Sequence, residues 1–161
     1  MREFDLRIPV ANWLILRGLS PICEVQSLRN CDMIGVGFEA KILSSLVAVE
    51  LKLSDIAGVL RQCGLHGDIV NETWAAMPPQ SLRTIERFKA AGFGLLSVIG
   101  HDVSVIVPSP VRIVPLERWQ RVARSRRNEH KWRMEHPQML RFPAQRIIRD
   151  RNEAAMKAGT T

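Results

Sequence analysis

The sequence predicts one α/β domain through about residue 110, in the order α-β-β-β-α-β-α-β-β, followed by a basic helical extension over 111–161. Three observations carry this. Short branched and apolar runs alternate with segments of helical periodicity, the pattern of a sheet with helices packed on it. Of the 161 residues, 46% are hydrophobic and 24% charged, a balance that can bury a sizeable core and that argues against a disordered chain. After Pro108 and Pro110 the composition shifts sharply toward Arg and Lys.

Each element has its own signal. Ile8, Val10, Ala11, Leu14 and Ile15 recur at near-helical spacing before Gly18, which predicts a first helix over 7–17. Strands are expected at 22–28 and 31–38, separated by a turn at Arg29-Asn30, and a third at 44–53. Ser54-Asp55 caps a helix over 55–63, which Gly64 and Gly67 end. Residues 68–77 return to a strand, Pro78-Pro79 stop it, and Ser81 opens a helix to Ala91. Two last strands, 93–99 and 102–107, flank a hairpin turn at Gly100-His101. Trp74 is expected to fill a core position.

The net charge of +7 is unevenly placed. Residues 1–110 hold 10 Lys and Arg against 11 Asp and Glu, whereas residues 111–161 hold 13 against 5. Arg121, Arg124, Arg126, Arg127, Lys131 and Arg133 make a broadly positive rod if this stretch is helical. Such a rod suits a polyanion, since each phosphate neutralised releases counterions. Nucleic acid is therefore the expected partner, with an acidic protein surface as the alternative. No apolar run approaches the ~20 residues that cross a bilayer, and no signal peptide is read at the N-terminus, so a cytoplasmic protein without a membrane partner is expected. The three cysteines have no CxxC spacing and fit reduced, packed thiols. With His66 they also lack zinc-knuckle spacing, so no zinc site is expected. His66 and His101 read as turn residues without a role.

Glu50 and Lys52 are the most informative pair. They lie two apart within SSLVAVELKLSD, so on a strand both face the same way. A carboxylate and an ammonium projecting together from an apolar strand cost several kcal/mol per ion unless paired or bound to metal. A metal-dependent hydrolytic site meets that requirement. The bland alternative, an exposed cross-strand ion pair, fits the apolar run less well.

Asp32 in CDMIGV, the ELK tripeptide of Glu50, Leu51 and Lys52 eighteen residues on, Glu24 one strand earlier and Gln62 in the following helix together resemble the PD-(D/E)xK nuclease superfamily. The resemblance covers about residues 7–107, and Cys31 stands where many members have proline. It implies a restriction-endonuclease-like mixed sheet flanked by helices and a metal-dependent endonuclease, acting on DNA in preference to RNA. It further implies Mg²⁺, with Mn²⁺ as a substitute, held by Asp32 and Glu50 with Glu24 as a third acid. Lys52 would orient the attacking water, and Gln62 would bond the lysine or the phosphate. Two-fold cutting of a duplex would imply a homodimer. The same fold without hydrolysis would be a nucleic-acid-binding or assembly module.

Overall fold

The computed structural model describes residues 2–25, 30–39 and 42–114. A short 3₁₀ turn, Glu3–Leu6, runs into α1 (Arg7–Leu16). Then come β1 (Ser20–Val25), β2 (Cys31–Glu39), β3 (Ile42–Leu51), α2 (Ile56–His66), β4 (Glu72–Met77), α3 (Leu82–Ala91), β5 (Gly94–Ile99) and β6 (Asp102–Val107). The six strands form one mixed sheet in chain order. β1, β2 and β3 pair antiparallel, β3, β4 and β5 pair parallel across the α2 and α3 crossovers, and β6 returns antiparallel. The expected order of elements is the observed one.

Alternation along the strands divides the core in two. Val47, Val49 and Leu51 of β3 join Trp74, Ala76, Leu96 and Val98 under α1, where Val10, Ala11, Leu14 and Ile15 lie buried. Leu46 and Ala48 face the other way, beside Ile34, Val36 and Val70. On that same face Ala75, Met77 and Leu95 meet Val59 and Cys63 of α2 and Phe88 of α3. By this parity Glu50 belongs to the α2 face, and it is fully buried there.

The capping residues act as their chemistry suggests. The Asp55 carboxylate accepts from the Gly58 amide at 2.8 Å, and the Ser81 hydroxyl accepts from the Thr84 amide at 3.3 Å. Gly100, at φ +60°, and His101 form the two-residue loop between Ile99 and Asp102. Trp74 is buried edge-on to Trp13 at 5.1 Å, and Arg17 lies over both rings while binding both oxygens of Glu72 at 2.6 and 2.9 Å. Gly94 leaves room for that indole, because a Cβ there would come within 2.2 Å of it.

Several boundaries differ from expectation, among them those of β3, which runs Ile42–Leu51 and not 44–53, so that Lys52 falls just past its end. β1 begins at Ser20, two residues early. α2 passes through Gly64 and ends at His66, since the exposed Gly64 costs the helix only about 1 kcal/mol while Val59, Cys63 and His66 pack beneath it. β4 starts at Glu72, not 68, because the amides of Ile69 and Val70 turn back to the His66 carbonyl. Asn71 then bonds the Leu46 backbone with both its own amide N–H and its side-chain oxygen.

The body continues past residue 110. The Arg112 guanidinium donates to the carbonyls of Gly67 and Gly92 and lies over Phe93, and its backbone pairs with Asn71. The expected division after 110 therefore cuts off a residue that locks the α2 and α3 ends. The basic residues Arg121, Arg124, Arg126, Arg127, Lys131 and Arg133 lie outside the described residues.

Candidate active site

β2 and β3 bring two carboxyl groups together. Met33 sits opposite Val49, and the same register continued by one residue sets Asp32 opposite Glu50. The Leu51 amide donates to Asp32 Oδ2 at 2.9 Å, so a side chain closes the end of the strand pairing. Asp32 is half-buried and Glu50 fully so. Burial, reinforced by the neighbouring Glu50, pushes the Asp32 carboxyl up to about 6, against the opposing pull of the Leu51 amide and Lys52.

This placement stores electrostatic strain. With a folded value near 6 and an ordinary one of 3.8, the folded state holds the proton more tightly than the unfolded state. Stability is then greatest below the ordinary value and falls as pH rises through this window. Asp32→Asn, which keeps an oxygen for the Leu51 amide, is expected to stabilise the protein in EDTA at pH 7. After discounting for solvent screening at this partly exposed site the gain is about 1 kcal/mol, vanishing near pH 4. Thermal denaturation of both proteins at the two pH values measures it.

Lys52 follows the last residue of β3, its amide donating to the Ala76 carbonyl at 3.1 Å. Its ammonium lies 3.4 Å from Glu3 Oε2 in the N-terminal 3₁₀ turn, and its charge also acts on Asp32. Gln62 is half-buried on α2, one turn before His66. Glu24, expected as a third metal-binding acid, is placed differently. It adopts φ +54° on β1, its side chain is 58% exposed, and its carboxylate pairs with Arg7 of α1. Among the described residues it joins no ligand-spaced group with Asp32 and Glu50.

The residue missed by sequence reasoning is His66. It is not a turn residue: it closes α2 with its ring buried, and Nε2 stands 2.6 Å from Glu50 Oε1. The signal was present in the spacing of Val59, Cys63 and His66, one apolar helix face, but Gly64 read as a stop. Cys31 completes the surroundings. Strict alternation would turn it from Asp32, yet it falls in the cluster with Ile34 and Val36, its Sγ 3.2 Å from the Met33 carbonyl. Burial raises its thiol well above the usual range, and the Glu50 charge adds to this.

The chain shares its fold with a protein of unknown function from Silicibacter pomeroyi. The TM-score is 0.60 at 18% identity, over 83% of this chain and 90% of that one, a likeness that shows the fold alone. No family model and no curated protein matches the chain. Among the described residues no helix is long and apolar enough to cross a membrane.

Proposed function

We propose that the chain is a metal-dependent nuclease of the PD-(D/E)xK type, an endonuclease acting on DNA in preference to RNA. The observation that supports this most is the opposition of Asp32 and Glu50 across β2 and β3, with Lys52 just beyond. The donor set fits a hard divalent cation. Among the described residues the buried Glu50 Oε2 has no hydrogen-bond partner, and Asp32 is raised toward protonation, so the pair lacks positive charge. Asp32 and Glu50 would hold Mg²⁺, or Mn²⁺ in its place, which when bound polarises a phosphoryl oxygen and acidifies water.

The chain's own side chains supply the rest. The strand pairing fixes both carboxyls before substrate arrives, so little reorganisation is required. Lys52 brings a positive charge to the same edge, where it stabilises charge developing on phosphate once it exchanges Glu3 for the substrate. Gln62 offers a neutral amide from α2. A cytoplasmic setting is part of the same proposal. A homodimer would let two such sites cut a duplex.

Hydrolysis of linear, branched and single-stranded DNA and RNA, with Mg²⁺, with Mn²⁺ and in EDTA, tests the proposal. Cation-dependent cleavage of any of these supports it. Binding without cleavage under every condition would instead identify a non-catalytic module.

The basic segment has its own expected result. Because Arg112 is anchored in the body, the truncation belongs after Val114. Removing residues 115–161 is expected to weaken nucleic-acid binding and flatten its dependence on salt, since the slope of log K against log salt follows the number of phosphates neutralised. Circular dichroism establishes that the truncated chain is folded before affinities are compared. An unchanged slope would assign the segment to an acidic protein partner.

A further inference from the structure

We propose that Cys31, Glu50 and His66 form a buried binding site for a zinc-class divalent ion, which differs from the hard-cation position of Asp32 and Glu50 in its thiol and imidazole donors and shares Glu50 with it. One donor atom from each lies within 4.8 Å of the others, and all three side chains are at most 1% exposed. They come from the start of β2, the end of β3 and the last turn of α2, so the folded sheet-helix contact assembles what the linear sequence spaces widely. That separation is why knuckle spacing gave no signal.

The chemistry of the donors selects the ion. A thiolate, an imidazole and a carboxylate suit zinc, cobalt or ferrous iron, whereas Mg²⁺ and Ca²⁺ take oxygen donors. Charge balance favours the same ion, for a dication with one thiolate and one carboxylate is neutral overall and so tolerates burial. Binding expels the Cys31 thiol proton to solvent, and one unprotonated ring nitrogen of His66 serves as the ligand. No redox partner is needed. Among the described residues the buried polar atoms Glu50 Oε2 and His66 Nδ1 have no hydrogen-bond partner, which leaves the cluster incompletely satisfied by them.

This site does not depend on the nuclease reading, and its test separates the two. The full-length protein, stripped with chelator, is titrated with Co²⁺ and then with Zn²⁺. The expected result is a thiolate-to-cobalt charge-transfer band at one equivalent, bleached by Zn²⁺, with zinc affinity tighter than about 1 μM. Cys31→Ser should abolish the band and His66→Gln should weaken cobalt binding, while Asp32→Asn should leave the band intact even where it removes Mg²⁺-dependent cleavage. A wild-type protein that takes up neither ion, or a band that survives in folded Cys31→Ser, overturns the proposal. The wild-type titration decides even if both ligand variants fail to fold.

Discussion

Glu50→Gln is expected to reduce cation-dependent cleavage on the order of 10³-fold, the scale seen when one charge-stabilising contact is removed from a transition state. The substitution keeps the shape of the side chain and a hydrogen bond to His66 at the position where Nε2 and Oε1 now stand 2.6 Å apart. It removes a buried negative charge, so thermal stability should hold or rise while activity falls. Lys52→Ala is expected to be comparably inactive for a different reason, losing charge at the phosphate and not at the metal. Calorimetric titration with Mn²⁺ distinguishes the two: heat at the hard-cation position disappears with Glu50→Gln or Asp32→Asn and persists with Lys52→Ala. Cleavage at wild-type rates by Glu50→Gln would remove the carboxylate pair from the mechanism.

Trp74→Ala is expected to be the most damaging single change to the fold, at about 3–5 kcal/mol. The indole is 4% exposed, meets Trp13 at 69°, and donates from Nε1 to Glu72 Oε2 at 2.9 Å. Its loss opens a void beside Gly94 and uncovers the Arg17–Glu72 pair that ties the end of α1 to β4. Gly94→Ala strains the same place from the other side, with an overpacking cost of about 1–3 kcal/mol. The two changes should not add. In the double variant the new methyl enters space the indole has left, so urea denaturation should show it less destabilised than the sum of the single variants.

How far the sequence could be read depended on the range of the interactions. Periodicity and stop residues are local signals, so the order of strands and helices followed from them, whereas Lys52 lies past the end of β3, where strand alternation no longer places it. Asp32 was legible as an acid on the preceding strand; its register against Glu50 is a property of the pairing. Glu24 was misplaced because Arg7, which binds its carboxylate, lies 17 residues away on another element. His66 was misread for a different reason. Gly64 was weighed as a helix stop on propensity alone, whereas tertiary packing of Cys63 and His66 outweighs a penalty of about 1 kcal/mol. The anchoring of Arg112 rests on carbonyls 45 and 20 residues earlier, and no local signal could show it.

The Leu51 amide, which donates to Asp32 Oδ2, has an evolutionary consequence. An aliphatic residue at position 32 would leave a backbone donor without its acceptor at the end of the β2–β3 ladder, a penalty on the order of 1–3 kcal/mol if the amide stays buried. Selection for folding alone would therefore tend to keep an oxygen-bearing side chain there, even in a lineage that had abandoned hydrolysis. Asparagine satisfies the amide as well as aspartate does and lacks the charge. If the proposed nuclease activity holds, drift from Asp to Asn at this position is thus the substitution by which a descendant could relinquish catalysis without loss of fold, and retention of Lys52, which carries no comparable backbone duty, would be the more telling sign of an active enzyme.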